Sequence, residues 1–228
     1  MKTAFLLLLL TLFPALAEEK WTPLFNGVDF TNWGGAGKTE HVGYYVNDGE
    51  IHATPACRFL TSDREYKHYR FRFEFKLTPG ANNGLGIHYP GTGDPAYTGM
   101  EIQMLDNTAE KFADLKDWQY HGSLYTLAAA KKGHLKPVGA WNLQEVIVAP
   151  DHTVRVLLNG TEILKTDLKK ARKAHPKHQG AKRQQGHLVF CGHKDIISLR
   201  NLQIQELTKA DPKPAKPAEP KKAEPETR

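Results

Sequence analysis

Cysteine is nearly absent: Cys57 and Cys191 are the only two in 228 residues. Two thiols cannot build a zinc site alone. Far apart in sequence, they fix no geometry, so a disulfide and a pair of buried thiols both stand open. Long apolar runs are missing too. The run from Ala4 to Phe13 is too short for the ~30 Å of a bilayer core, and no later stretch could span one. Charge of one sign is scarce. The net charge is +6, and between the first 17 and last 20 residues 24 Lys and Arg face 21 Asp and Glu. So small a surplus speaks against a phosphate-binding face, and nucleic acid is not an expected partner. No internal repeat is present, and only Thr108 to Lys116 looks helical, briefly. With 40% hydrophobic and 25% charged residues, the chain is neither wholly disordered nor fibrous.

What is present divides into three parts. Met1-Lys2-Thr3, the apolar run and Ala15-Leu16-Ala17 before Glu18 form a secretory signal peptide over 1–17, which predicts a soluble secreted or periplasmic protein without stable membrane insertion. No cysteine follows the cleavage site to carry lipid. From 209 to 228 proline recurs among alternating charges, with nothing apolar larger than alanine. Such a segment cannot bury enough surface to offset its ordering entropy and is expected to be a disordered tail. Residues 18–208 are the body that folds, one domain by length.

The strongest local signal in that body is His68 to Leu77, where Tyr69, Phe71, Phe73, Phe75 and Leu77 alternate with Arg70, Arg72, Glu74 and Lys76. Period two specifies a strand with one aromatic face buried. Ten shorter strands are expected: 44–46, 51–53, 58–61, 85–89, 100–105, 143–149, 154–158, 161–166, 187–191 and 198–207. Asn159-Gly160 between two apolar runs is a hairpin signal. Many short strands without intervening helices predict an all-β sandwich of two antiparallel sheets. The segment 165–187 carries eight Lys or Arg against one acidic residue, Asp167, and is expected to be a long exposed loop.

Chemistry concentrates around two strands. If 85–89 pairs with 100–105, Ile87, Met100, Ile102 and Met104 point into the core. His88, Glu101 and Gln103 then share a polar face. Trp33, Trp118, Trp141 and several tyrosines are available to stack on sugar rings, although a tryptophan in a sandwich commonly belongs to the core. Glu101-x-Gln103-x-x-Asp106 resembles the paired carboxylates of retaining glycosidases, but Asp106 falls on the opposite face and Gln103 cannot ionise. His121 and His193 each adjoin a glycine at a strand end, where a histidine can move a proton or ligate a metal.

Together these pieces resemble a known family. Leu24-Phe25-Asn26-Gly27 with Trp33, Thr61 to Tyr66, Asn83-Gly84-Leu85-Gly86-Ile87-His88, Gly99 to Asp106, Gly122-Ser123-Leu124-Tyr125, Lys136-Pro137-Val138-Gly139 with Trp141-Asn142, Leu158-Asn159-Gly160, Gly186-His187-Leu188 to Gly192-His193 and Leu199 to Ile204 are similar to the 3-keto-disaccharide hydrolase domain family. Lys194 departs from it, standing where the family commonly has a small residue. The resemblance implies a concanavalin A-like jelly roll acting on glycosides whose C3 hydroxyl has become a ketone. The ketone acidifies the C2 proton, so a base removes it, the C1 group leaves and water can add. Such chemistry needs a base, a donor for the enolate oxygen and an acid, but no nucleophile. Glu101 or His121 would be the base. His193 and Arg200 would stabilise enolate or substrate, Arg200 serving equally well as a structural partner within the last strand. His88 and Gln103 would contact the sugar, with Asp106 nearby as a further candidate. A divalent metal on His88, Glu101 and His121 would fit such chemistry without being required. The competing expectation is a non-catalytic carbohydrate-binding module on the same sandwich. Neither the sugar nor the oligomeric state is specified by the sequence.

Overall fold

A computed structural model describes residues 20–34, 37, 38 and 40–208. The expected leader at 1–17 and tail at 209–228 lie outside the described residues. Among the described residues thirteen strands are formed: β1 (Thr22–Pro23), β2 (Glu40–His41), β3 (Tyr44–Asn47), β4 (Glu50–Ala53), β5 (Phe59–Thr61), β6 (Tyr69–Leu77), β7 (Asn82–Tyr89), β8 (Met100–Leu105), β9 (Trp141–Val148), β10 (Thr153–Leu158), β11 (Thr161–Asp167), β12 (His187–Gly192) and β13 (Ile197–Glu206). All eleven expected strands are among them. Two short helices, α1 (Pro95–Thr98) and α2 (Leu168–Ala174), complete the regular elements of the described residues along with three 3-10 turns.

The strands form two antiparallel sheets facing each other. The larger runs β11-β10-β9-β6-β13-β4-β3-β2, with β1 on β13; the smaller runs β5-β12-β7-β8. This is the two-sheet antiparallel sandwich that the strand pattern predicts, and the jelly roll that the resemblance implies. The alternating face of β6 packs inward: Tyr69, Phe71, Phe73 and Phe75 are fully buried. Their rings join across the sandwich, Phe71 lying 5.2 Å from Phe73 and Phe190 of β12 meeting Phe73 edge-on at 5.3 Å. Each fully buried side chain of this size contributes about 1.5–3 kcal/mol of transfer free energy. Trp33 belongs to the same core, its indole donating to the Leu24 carbonyl at 2.8 Å. It is therefore not a sugar-stacking residue. Between β10 and β11, Asn159 and Gly160 both adopt positive φ, 51° and 83°, the combination that a two-residue hairpin of matching twist requires.

Two local expectations are corrected. Thr108 to Lys116 holds only a 3-10 turn at Glu110–Phe112. The segment expected to be loop carries α2 instead. Asp167 accepts from the Lys169 and Lys170 amides at 2.7 and 3.4 Å, which caps the helix. Leu168 and Ala171 bury one side of it, and Arg172 and Lys173 fall in the last turn, where cations suit the helix dipole. Among the described residues, no helix is long and apolar enough to cross a membrane.

Candidate active site

β7 and β8 pair with Gly84 opposite Gln103 and Gly86 opposite Glu101. Met100, Ile102 and Met104 point into the core, fully buried. By alternation, Glu101 and Gln103 face out of the sandwich. They are not bare. The segment 106–130 folds over this face and its backbone closes the free edge of β8. The Tyr125 amide donates to the Glu101 carbonyl at 2.8 Å, and the Gly122 amide to the Gln103 carbonyl at 2.8 Å. Glu101 and Gln103 thus stay buried at the floor of a pocket of about 420 Å³. Asp94, Tyr97, Tyr125, Phe59 and His193 line its sides, and the Cys191 thiol joins the floor.

At the floor, Glu101 Oε1 lies 3.4 Å from His193 Nε2. The Glu101 side chain is 5% exposed and that of His193 46%. The hydrogen bond to Glu101 raises the His193 pKa above its ordinary value against the opposing effect of burial, with the charges of Glu101, Asp94 and Asp195 adding to the rise. The imidazolium is therefore favoured beside the carboxylate. Gln103 lines the same floor, and its Oε1 is buried without a hydrogen-bond partner. Asp94 is oriented by capping α1, its Oδ1 accepting from the Ala96 amide at 2.9 Å. The aromatic wall is braced edge-to-face: Tyr125 meets Tyr97 at 6.3 Å and Trp118 at 4.9 Å. Lys194 follows His193 with φ 68°, a left-handed conformation that a small residue, glycine above all, adopts more readily.

Of the residues singled out from sequence, Glu101, Gln103 and His193 come together in this pocket. The other four do not. His121 is fully buried, stacked on Phe75 at 5.2 Å, and its Nδ1 accepts from the Leu105 amide at 3.3 Å. Burial pushes its pKa down to about 3. The segment wrapping β8 turns this ring into the sandwich, so it is not a base for anything in the pocket. His88 takes a positive φ of 52° where the pairing of β12 with β7 slips between His187 and Val189, and such a bulge re-aims a side chain. Its Nε2 lies 3.3 Å from the Lys67 carbonyl, and burial lowers its pKa to about 4. Asp106 is a turn residue. Its carboxylate accepts from the Gly80 amide at 2.8 Å and from Thr108 through both amide and hydroxyl. Burial pushes its pKa up, but these hydrogen bonds outweigh burial and leave it below the ordinary carboxylate range. Arg200 lies on the larger sheet, hydrogen-bonded to Glu74 at 2.8 Å and 4.0 Å above the Trp141 ring, and takes the structural role.

The proposed metal set of His88, Glu101 and His121 does not fit a shared ion. One ring sits in the core and another on a main-chain carbonyl, and only Glu101 reaches the pocket. Among the described residues, no group of three His, Cys, Asp or Glu is placed to hold a metal. Cys57 and Cys191 are both buried free thiols. Cys57 belongs to the core cluster, whereas Cys191 packs with Tyr89 and Val189 on the other side of the sheet. Asp94, Tyr97 and Tyr125 were missed from sequence. The Asp94-Pro95 pair, an N-cap followed by a first-turn proline, is the signal that could have placed the first two at a helix start.

The two facing antiparallel sheets define the class by fold, the jelly-roll proteins. Within it, residues 20–205 match the 3-keto-alpha-glucoside-1,2-lyase-like domain, and the chain belongs to that family. Membership places it among carbohydrate-active proteins. Two crystal structures of Parabacteroides distasonis proteins, each named provisionally as a glycosyl hydrolase, share the fold. One is 24% identical, covering 82% of this chain and all of its own, with a TM-score of 0.72. The other is 27% identical, covering 83% and 95%, with a TM-score of 0.68. No curated protein matches the sequence.

Proposed function

We propose that the protein is an exported enzyme that cleaves 3-keto-glycosides or 3-keto-disaccharides, with Glu101 as base and His193 as electrophile. The observation that carries this reading is the 3.4 Å contact between the two at the floor of the pocket. With His121 confined to the core, Glu101 is the one of the two base candidates able to meet substrate. The ketone beside C2 acidifies the proton that the Glu101 carboxylate must remove. The imidazolium of His193 donates to the C3 oxygen as negative charge develops there, the kind of stabilisation that contributes most in a partly dry site. Glu101, now protonated, gives its proton to the oxygen leaving C1. Water added to C1 in the reverse sense completes hydrolysis; release of the unsaturated sugar gives the lyase outcome. Gln103 lines the same floor and offers its side-chain amide to a ring hydroxyl, and Tyr97, Tyr125 and Phe59 offer aromatic surface to the sugar or its leaving group.

Support comes from family membership over 20–205 and from the name carried by the 27% identical Parabacteroides protein. Proton NMR of the protein with a glucoside and, separately, with its 3-keto derivative tests the reading. Consumption of the ketone alone is expected. Line broadening of either sugar without turnover would identify a carbohydrate-binding module, and consumption of the unoxidised glucoside would overturn the ketone requirement.

A further inference from the structure

Glu101 stands on β8, the edge of the smaller sheet, and His193 follows β12 on the far side of β7. Two strand spacings separate those backbones by about 10 Å. An ordinary side chain projecting outward from β7 would stand between them, yet the carboxylate and the imidazole are 3.4 Å apart. The residue on β7 that faces Cys191 on one neighbour and Gln103 on the other is Gly84. A β-carbon placed there would overlap Glu101 Oε1 and lie 2.6 Å from Cδ and Cγ of the same side chain. Gly84 is not among the residues with positive φ, so its backbone does not demand glycine. Space does.

We infer that Gly84 is a positioning residue of this site: its missing side chain is the passage through which the Glu101 carboxylate crosses the middle strand to reach His193. The inference deepens the functional reading and rests on it for the role of the pair, but the geometry stands without substrate. The three nearest atoms to the absent β-carbon all belong to the Glu101 side chain. Alanine at 84 would therefore displace that carboxylate and leave the strand in place. The Gly84 amide keeps its bond to Asn83 Oδ1 at 2.9 Å, because alanine has the same donor.

The test is Gly84→Ala, read by NMR titration of the His193 ring in sugar-free protein, alongside Glu101→Gln and a double-mutant cycle with Glu101→Ala. Asp94 and Asp195, the other carboxylates acting on His193, are retained in every variant. Gly84→Ala should lower the His193 titration midpoint toward that of Glu101→Gln and reduce turnover of a 3-keto-glucoside about a hundredfold or more. In the Glu101→Ala background the same substitution should change neither the titration nor the melting temperature. Should Gly84→Ala fold poorly, normal folding once Glu101 is also alanine would still support the inference. A wild-type His193 titration in Gly84→Ala, or equal destabilisation in both backgrounds, would overturn it. An intact pair with no turnover of any 3-keto sugar would instead count against the functional reading alone.

Discussion

Acid should unfold this protein through two neutral histidines, and the size of the effect follows from their burial. His121 is fully enclosed against Phe75, with a folded pKa of about 3; in the unfolded chain the same ring titrates near 6.5. Between these values the unfolded state binds a proton that the folded state refuses. The stability this ring supplies is therefore complete above about pH 6.5 and is lost as pH falls below it, at about 1.4 kcal/mol per unit. From about pH 7.5 to about pH 5 the loss is ~2 kcal/mol for this residue. His88, with a folded pKa of about 4, adds a similar amount, so the pair costs the wild type ~4 kcal/mol over that interval. The assay is urea unfolding followed by tryptophan fluorescence at both pH values, for wild type and for His121→Asn. Asparagine offers an oxygen where the ring nitrogen accepts from the Leu105 amide. The variant will be less stable at neutral pH, since it leaves space against Phe75. Its pH dependence, however, should be shallower than wild type by ~2 kcal/mol. Identical pH dependence in the two proteins would mean that His121 is not a neutral core histidine, and the reasoning would fail.

Other predictions concern site and core. Glu101→Gln should lower turnover of a 3-keto-glucoside by about a hundredfold to ten-thousandfold with an unchanged melting curve; full activity would remove Glu101 from the mechanism. Arg200→Ala, on the opposite sheet with Glu74 and Trp141, should leave kcat/KM intact, and a large loss would return Arg200 to the site. Phe75→Ala should cost about 3–5 kcal/mol in denaturant unfolding, whereas Asp167→Ala, which removes the cap of α2, should cost about 1 kcal/mol.

Legibility from sequence followed the regularity of the backbone. The alternation from Tyr69 to Leu77 names its own buried face because a strand has period two, and Asn159-Gly160 names its own turn because few residues accept positive φ twice in succession. Glu101 and Gln103 were legible for the same reason, two outward positions of one strand with apolar neighbours between them. Side-chain direction ceases to be legible where that period breaks. His88 lies near the end of the neighbouring strand β7, where a bulge with positive φ turns it away from the face it was assigned. His121 lies on a covering segment of no regular period, so nothing local indicated that it points inward. Leu168 to Ala174 consists of good helix formers behind an aspartate cap, and its charge masked that pattern. Asp94 and Tyr97 reach the pocket from a connection whose path depends on the whole sheet, and local spacing does not encode it.

In the proposed reaction the first step removes the proton on C2 of a 3-keto sugar. Incubating the protein with a 3-keto-glucoside in deuterium oxide, against an enzyme-free control, tests this most directly. Product bearing deuterium at C2, or an unsaturated sugar that has lost that hydrogen, is expected, and neither when Glu101 is glutamine. Cleaved product that keeps its original hydrogen at C2 would mean displacement at C1 without enolisation, and would contradict the account.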